Sequence, residues 1–242
     1  HKLGLSVPPE GIGQVSEWLI ESVPNDQLHL SCPVERLEQV DGTWKVFADG
    51  QVYEAEGLVI ATEAFTAARL LQGFINEDAS RRLMSTPYTE YAHVVFAYRE
   101  NPWPDYPVDM VLPVGIGGVR NVGAMVLHGR RSPNSVPAGG QAVGVYFNTP
   151  PLENMSDEEI EQEALKQVTA AFGEAPAPSF VQLFRYDNGL TIAKPGHYEQ
   201  LDHVHQLLPE NVCLAGDYFS QAGVEAAVYS GERAALELTQ SR

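Results

Sequence analysis

The pattern of hydrophobic and polar positions predicts a chain that mixes helices and strands. Short runs that are apolar throughout occur at Gly57–Ala61 and Asn211–Ala215. Strands of this kind, buried on both faces, are typical of parallel sheets covered by helices. Helical spacing of apolar residues follows the second run, over Val224–Leu238. The two ends of the chain, residues 1–62 and 211–242, therefore have the character of a doubly wound α/β domain.

Alternating polar and apolar positions after the first thirty residues predict a small antiparallel meander. The dipeptides Asp41-Gly42 and Asp49-Gly50 separate its strands. Asp-Gly is a strong hairpin signal because both central residues of a type I′ turn need a positive φ. The predicted strands are Leu28–Leu30, Val34–Val40, Trp44–Ala48 and Val52–Glu54, and an amphipathic helix over Glu10–Val23 is predicted before them.

The middle of the chain has a mixed pattern that predicts a second domain. Ser156 is a suitable N-cap for a helix, and Glu159 three residues later completes a capping box. The predicted helices are Ala64–Gln72, Asp78–Met84 and Asp157–Phe172. The predicted strands are Tyr91–Tyr98, Asp109–Pro113, Asn121–His128, Gln141–Phe147 and Phe180–Tyr186. The simplest organisation is one α/β domain, 1–62 with 211–242, interrupted by a mixed-sheet domain, 63–210.

Charge and cysteine content narrow the class of protein. The 242 residues include 15 Lys+Arg and 32 Asp+Glu, a formal net charge of −17. Nucleic acids and anionic membrane surfaces attract basic clusters, so neither is an expected partner. The two cysteines, Cys32 and Cys213, do not form a disulfide framework, and Cys213 is expected to be an inert buried thiol. No signal peptide is visible, and a cytoplasmic location is predicted.

The strongest local pattern for chemistry follows the last predicted strand. Gly216-Asp217 comes directly after Asn211–Ala215, and Gly223 precedes the final helix. Ligands of open α/β sheets bind beyond the carboxyl ends of strands, where a helix N-terminus offers free N–H groups. Asp217 could accept hydrogen bonds from a ribityl or ribose chain, and Gly223 would allow close approach to a ring. A simple turn at Gly216-Asp217 explains the same dipeptide equally well.

Several segments resemble the flavin-containing amine oxidase superfamily, which includes protoporphyrinogen oxidases, phytoene-type desaturases and monoamine or polyamine oxidases. The segment LAGDYFSQAGVEAAVYSGERAA, from Leu214 to Ala235, resembles the C-terminal flavin motif of these proteins. The protoporphyrinogen oxidase and desaturase branches look most similar. Weaker resemblances are Pro9–Leu19 to a Pro-x-Gly-Gly helix start, Cys32–Leu37 and Gly50–Thr62 to the second FAD-domain segment, and Thr86–Phe96 and Ala193–His197 to the substrate domain.

The resemblance implies FAD as the cofactor and assigns roles to individual residues. Asp217, beside Gly216, would bind the ribityl or pyrophosphate region of FAD. The N–H of Val224, after Gly223, would point at the flavin C2 carbonyl and stabilise negative charge on the reduced ring. Tyr218 and Phe219 would flank the flavin or an apolar substrate, or fill the core. Val34 would contact adenine through its backbone, and Ala61 and Thr62 would line the pyrophosphate side.

One departure from the family limits what the resemblance implies. The family opens with strand–Gly-x-Gly-x-x-Gly–helix, and the one Gly-rich candidate here, Gly115–Arg120, is better interpreted as a hairpin turn. The chain thus resembles the C-terminal part of a flavoprotein. The N-terminal FAD-binding segment is expected to be missing from this sequence or to be supplied by a companion chain. The implied activity is oxidation of an apolar or amine small molecule at a C–N or C–C bond. The alternative is a non-catalytic fragment or subunit that docks on a dinucleotide-binding half.

Other clusters of polar or aromatic residues are given simpler interpretations. The spacing of the histidines near residue 200 matches no known pattern of metal ligands. A solvated helix face is preferred, and no metal is expected. No nucleophile–base pair or other catalytic residue can be identified. The histidine group consists of His197, His203 and His205, with Glu199 and Asp202. Tyr186 and Tyr198 are expected in the core. An exposed helix face is expected to carry the acidic residues Asp157, Glu158, Glu159, Glu161 and Glu163.

Overall fold

The computed structural model describes residues 8–9, 11–113, 122–147, 154–220 and 222–240. The predicted turn Gly115–Arg120 lies outside these residues. The helices are α1 Gly13–Ile20, α2 Ala64–Leu70, α3 Glu77–Met84, α4 His128–Arg131, α5 Asp157–Phe172, α6 His197–His205 and α7 Val224–Gln240. The strands are β1 Val34–Val40, β2 Thr43–Ala48, β3 Gln51–Ala55, β4 Leu58–Ile60, β5 Tyr88–Tyr98, β6 Met110–Val111, β7 Val122–Leu127, β8 Gln141–Phe147, β9 Phe180–Thr191 and β10 Val212–Leu214.

The described chain divides into two compact units. Unit 1 comprises His1–Leu28 and Thr89–Gly189, and unit 2 comprises His29–Tyr88 and Leu190–Arg242. The domain boundaries inferred from the sequence, at 62/63 and 210/211, concern a division into cofactor and substrate parts and stay a prediction.

Unit 2 begins with the predicted meander, in the order β1-β2-β3. Both residues of each Asp-Gly turn have positive φ, 51° and 82° at Asp41-Gly42 and 49° and 70° at Asp49-Gly50. These are the signs that a type I′ turn requires, and the turns set the register of the strands. Trp44 on β2 is fully buried and packs edge-on against Phe74, with ring centroids 4.9 Å apart. The meander is thereby fixed to the core of unit 2.

The two all-apolar runs pair as parallel strands, β4 beside β10. Helix α7 packs on one face through Ala234 and Leu238, which contact Cys213. On the other face, Leu214 and Ile60 belong to the same core cluster as residues of α2 and α6. The result is the layered arrangement expected of a partial doubly wound domain.

Burial on both faces holds for β10 but is wrong for β4. Val59, which pairs with Cys213, is 40% exposed. Among the described residues, β4 has no neighbour other than β10 in its sheet. The side of Val59 away from β10 therefore stays open.

The sheet of unit 1 has five strands in the order β6-β7-β8-β5-β9. Side chains along β5 alternate, with Ala92, Val94 and Phe96 buried and the residues between them half-buried. Helix α5 covers the buried face with Ile160, Ala164, Val168 and Phe172. The capping box is present: Ser156 accepts from the Glu159 N–H and Glu159 accepts from the Ser156 N–H. Asp157, Glu158 and Glu159 are exposed as expected, whereas Glu161 and Glu163 are only partly exposed.

Some predicted elements differ from the observed ones. Leu28–Leu30 is not a strand: no described residue pairs with it, and Leu30 is 72% exposed. Helix α1 is shorter than predicted because Gly11 has a φ of 99°, which places the start of the helix after it. None of the residues of α1 is buried. Strand β9 is longer than predicted, because it continues to Thr191.

No helix among the described residues is both long and apolar enough to cross a membrane.

Candidate functional site

The site begins where the parallel strands end. Because β4 and β10 run in the same direction, their carboxyl ends share one edge of the sheet, and the Ala215 N–H donates to the Ile60 carbonyl at 3.0 Å. Ala61 and Thr62 leave β4 at this edge, and Gly216-Asp217 leaves β10. The structure therefore brings four of the residues predicted to bind the cofactor to one place.

Gly216 is required by the packing of the loop that follows β10. A Cβ built on Gly216 would lie 2.6 Å from Cδ1 of Tyr218, closer than real Cβ contacts allow. The Tyr218 ring cannot move aside, since it is 1% exposed within the core of unit 2. The glycine thus makes room for a buried aromatic ring, a role that the sequence pattern did not indicate.

Three contacts hold the loop from Gly216 to Ser220 in place. The Gly216 N–H donates to Oγ of Ser230 on α7 at 2.9 Å. Nε2 of the buried His197, on α6, donates to the Tyr218 carbonyl at 2.9 Å. Phe219 packs against His205, with ring centroids 4.7 Å apart. Asp217, half-buried, is therefore presented by a loop that two helices fix.

Phe219 contacts both a histidine and an arginine. Cζ of Arg233 is 5.2 Å from the centroid of its ring, a cation–π distance. Arg233 also donates from Nη2 to Nε2 of His205 at 2.6 Å, so that nitrogen carries no proton. Burial, followed by the charge of Arg233, lowers the pKa of His205. The ring of Phe219 is thus part of a packed contact between α6 and α7.

The histidines on α6 correct the sequence interpretation. His197 is buried at 7% exposure and His205 is half-buried, whereas a solvated face was expected for both. His197, Leu201 and Val204 are buried together because the spacing i, i+4, i+7 places them on one side of the helix. That spacing was the signal in the sequence for the role of His197. His203 is exposed as expected and lies 3.8 Å from Asp78.

The burial of two tyrosines, Tyr186 and Tyr198, differs from the expectation, whereas that of Tyr218 does not. Tyr218 is buried, and its hydroxyl has no hydrogen-bond partner among the described residues. Burial raises the pKa of Tyr218, which keeps the hydroxyl protonated. Tyr186 and Tyr198 are 51% and 40% exposed, so their expected core position is wrong. Strand β9 has no buried residue, and the buried residues of α6 are His197, Leu201 and Val204.

A cavity of about 720 Å³ opens at the start of α7. The first N–H groups of a helix have no acceptor within it, so those of Val224 and Glu225 are available to a ligand. Apolar side chains of Val228 and Tyr229 form part of the wall, and Tyr229 is 66% exposed. The full lining is Ser220, Ala222, Gly223, Val224, Glu225, Ala226, Val228, Tyr229 and Glu232.

Val34 is placed apart from this edge, in another sheet. It is the first residue of β1, pairs with Ala48 and is 41% exposed. No group of three or more His, Cys, Asp or Glu among the described residues has the arrangement of a metal site.

A comparison with known protein families shows which family the chain belongs to. A family profile described as flavin containing amine oxidoreductase matches residues 1–239. The chain belongs to the flavin containing amine oxidoreductase family.

Solved structures share the fold of this chain at low sequence identity. A protein from Exiguobacterium sp. 255-15, named provisionally as a protoporphyrinogen oxidase, has a TM-score of 0.79 at 16% identity, covering 97% of this chain and 52% of its own. Cyclohexylamine oxidase from Brevibacterium oxydans IH-35A has a TM-score of 0.73 at 19% identity, covering 95% and 52%. Putrescine oxidase bound to putrescine has a TM-score of 0.76 at 15% identity, covering 95% and 53%.

The chain thus spans about half the length of these solved structures. The comparison with curated protein sequences gives no match.

Proposed function

We propose that this chain forms part of an FAD-dependent oxidoreductase that oxidises a small apolar or amine substrate at a C–N or C–C bond. The observation that carries the proposal is the cavity at the N-terminus of α7, beside the loop that presents Asp217. The family match supports a flavin, and the position of the cavity supports a flavin ring there.

The lining of the cavity fits the ring of a flavin better than its phosphates. Its volume, about 720 Å³, is within the range of small-molecule sites. The free N–H groups at Val224 suit a carbonyl oxygen on a flat ring. Two carboxylates, Glu225 and Glu232, also line the cavity and would repel a pyrophosphate. We therefore assign the isoalloxazine end of FAD to this cavity, with the Val224 N–H directed at C2–O.

The remaining parts of FAD are assigned to the edge where β4 and β10 end. Asp217 is half-buried there and accepts hydrogen bonds as a carboxylate, which suits the hydroxyl groups of the ribityl chain. Ala61 and Thr62 lie on the neighbouring strand end and would face the pyrophosphate. Gly216 and Gly223 keep the backbone free of side chains on this path. Val34 would contact adenine through its backbone, as the family resemblance implies.

When bound, the flavin would accept a hydride equivalent from the substrate and pass the electrons to oxygen or another acceptor. The residues of this chain contribute position and electrostatics. Val224 and the dipole of α7 would stabilise negative charge near C2–O. His197 and Ser230 would fix the loop that holds Asp217. No residue of the chain is assigned as the base or nucleophile.

The class of substrate is inferred from relatives. Two solved structures of similar fold carry amine substrates in their names, cyclohexylamine and putrescine, and a third carries protoporphyrinogen. We assign residues 63–210 to the substrate domain, and residues 1–62 with 211–242 to the cofactor domain. The Gly-x-Gly-x-x-Gly segment would come from a further segment or companion chain.

The test is retention of flavin by the purified chain. The chain is mixed with FAD and gel-filtered, and the visible absorption bands that remain with the protein are measured. We expect bands to remain, and Asp217→Ala to weaken FAD binding about tenfold or more, since a charged hydrogen-bond acceptor is lost. Asp187→Ala, which removes an exposed aspartate of unit 1, is the matched control. Equal retention by Asp217→Ala and the control would remove the role of Asp217.

Uncovered apolar side chains on α7 favour a second candidate function. Val228, Tyr229 and Leu236 are 36%, 66% and 59% exposed. A non-catalytic part that docks on a dinucleotide-binding half would cover such a surface. In that case the chain alone stays colourless with FAD and gains flavin bands only when that half is added. Tyr229→Asp should then prevent the gain.

A further inference from the structure

A second, smaller cavity lies within unit 2, where the end of α3 meets the turn before α6. Its volume is about 70 Å³, which leaves room for several water molecules. We call it the α3–α6 cavity. Its lining is Arg82, Ser85, Thr86, Pro87, Lys194, Pro195, His197, Gln200 and Leu201. None of these residues is assigned to the cofactor, although His197 fixes the loop that presents Asp217.

The walls of the α3–α6 cavity are fixed by packing and by backbone hydrogen bonds. Leu83 on α3 and Leu201 on α6 are buried in the same core cluster. The Thr86 N–H donates to the Leu83 carbonyl at 3.2 Å on one wall. The His197 N–H donates to the Lys194 carbonyl at 3.0 Å on the other. The shape of the cavity is therefore set by the fold of unit 2.

Two cationic side chains line the cavity, and both have unused donors. Arg82 donates from Nε to Asp78 at 2.7 Å, while its Nη1 and Nη2 have no hydrogen-bond partner among the described residues. Lys194 is exposed and forms no ion pair with any described residue. The three ammonium protons of the lysine and the outer edge of the guanidinium are thus available to a ligand.

The charge around the cavity is positive, although the protein as a whole is strongly acidic. The carboxylate of Asp78 is shared between Arg81 and Arg82, at 3.1 and 2.7 Å, and the hydrogen bond from Arg82 lowers its pKa. Lys194 adds a third cation, and none of the described residues in the lining is acidic. A formal net charge of −17 repels anions at long range, so anion binding here has to depend on local donors.

Neutral hydrogen-bond groups complete the lining. Nε2 of Gln200 lies 4.0 Å from the point where a Cβ on Gly196 would stand, so this amide lies over the turn before α6. The hydroxyls of Ser85 and Thr86 donate to the Arg82 carbonyl at 3.1 and 3.4 Å. The second bond is long, and a hydroxyl proton rotates to suit a stronger acceptor. A ligand with several acceptor oxygens therefore suits this lining best.

We propose that the α3–α6 cavity binds a phosphate group, or an equivalent tetrahedral oxyanion, between Arg82 and Lys194. Arginine presents a fork of N–H donors that fits two oxygens of such a group, and lysine contributes a compact charge. The anion would connect the end of α3 to the turn before α6 and balance the excess of cations over Asp78. Because the site needs neither flavin nor the cavity at α7, its failure and that of the flavin site can be told apart.

The first test is a phosphorus NMR titration of the whole chain with inorganic phosphate, at neutral pH and an ionic strength held constant with sodium chloride. We expect one anion to bind with a dissociation constant on the order of 1 mM. Phenyl phosphate, titrated in the same way, distinguishes two sources of the ligand. Tighter binding than phosphate indicates a phosphate group on a larger compound, and weaker binding indicates the free anion. If neither compound shows saturable binding, the proposal is overturned.

Variants locate the site. Lys194→Gln removes one cation at an exposed position and should weaken phosphate binding about tenfold, the effect of one hydrogen bond to a charged group. Arg82→Lys keeps the charge but removes the fork of donors, so it should also weaken binding, by about threefold to tenfold. Lys166→Gln, at an exposed lysine of α5, is the matched control and should bind phosphate like the unmodified chain. Unchanged affinity in Lys194→Gln or in Arg82→Lys would contradict the proposal.

Discussion

At the scale of single residues, histidine side chains fix the local structure in both units. His197 connects α6 to the loop after β10 by donating to the Tyr218 carbonyl. His205 accepts from Arg233 and ties α6 to α7. His93 stacks on Tyr146 within the sheet of unit 1. The two whose pKa is lowered, His93 and His205, are neutral in the folded protein at pH 7, so protonation competes with folding.

Stability should therefore fall on acidification through the range in which His93 titrates. The pKa of an unfolded histidine is about 6.5, and that of folded His93 is about 4. Below pH 6.5 the unfolded state binds more protons, so the stability due to neutral His93 is complete above pH 6.5 and is lost as the pH falls towards 4. With allowance for solvent screening of a half-buried ring, the loss is about 2 kcal/mol.

The measurement is urea denaturation of the chain and of His93→Phe at several pH values from 7.5 to 4. The groups that face His93 among the described residues are His128 at the end of β7, Tyr146 on β8 and Phe184 on β9. The variant keeps all of them, so the difference between the two pH profiles isolates His93. Parallel profiles over this range would contradict the prediction.

At the scale of elements, α7 depends on small residues where it meets the sheet. Its buried side is Ala226, Ser230 and Ala234, spaced by four, whereas Ala227 and Ala235 are exposed. At the other end of the helix, a Cβ on Gly57 would lie 2.6 Å from Cδ1 of Leu238 and 3.0 Å from the Asn211 carbonyl oxygen. Gly57 therefore sets how closely α7 approaches the strands.

Two glycine-to-alanine changes should consequently have opposite signs. Gly57→Ala should destabilise unit 2 by about 1–3 kcal/mol, because the methyl group overpacks the contact with α7. Gly231→Ala should stabilise it by about 0.5–1 kcal/mol, because a Cβ there meets nothing within 4 Å and alanine favours the helix. Thermal and urea unfolding of both variants measure the two effects. Equal destabilisation by both changes would contradict the described packing of α7 against the strands.

Elements with local signals could be predicted from the sequence, and those that depend on distant partners could not. The Asp-Gly turns and the Ser156 capping box are determined within a few residues, and β1, α5 and β8 were predicted with the observed bounds. Leu28–Leu30 has an apolar pattern but no described strand beside it. Strand β9 extends beyond Tyr186 through polar Asp187 and Asn188, which no alternating pattern marks.

The candidate site was predictable only in its sequence motif. The Gly216-Asp217 pattern led to the strand end and to the start of α7, where a cavity is found. The anchors of this loop come from α6 and from the middle of α7, and their contacts cannot be read from spacing along the chain. The stacking of His93 on Tyr146 was missed for the same reason, since β5 and β8 bring the two rings together only in the folded sheet.

At the scale of the whole molecule, each unit has its own hydrophobic core. The core of unit 1 includes Trp103 and Val145, and that of unit 2 includes Trp44 and Leu83. Each core thus contains one buried tryptophan that reports on its own unfolding. A third tryptophan, Trp18, is half-exposed and is replaced by phenylalanine in both reporter proteins below.

Core substitutions should therefore act mainly on the unit that contains them. Leu83→Ala should lower the unfolding midpoint followed through Trp44, by the equivalent of about 2–5 kcal/mol, with a smaller effect on the midpoint followed through Trp103. Val145→Ala should do the reverse. Fluorescence-detected urea unfolding of proteins that retain only one of the two buried tryptophans measures this. Equal shifts of both midpoints by each substitution would show that the chain unfolds as a single cooperative body.

The pairing of β4 with β10 has a consequence for the order of folding. Residues Leu58–Ile60 bond to Val212–Leu214 across most of the chain, so this contact closes a very long loop. Closure of a loop costs more conformational entropy as the loop lengthens, although slowly. The intervening segment contains the five-stranded sheet, whose neighbours β7 and β8 are close in sequence. Once that sheet has collapsed, the ends of the loop are held nearer together. The parallel pair, and with it the strand edge assigned to the cofactor, is expected to form late, on a scaffold that has already folded.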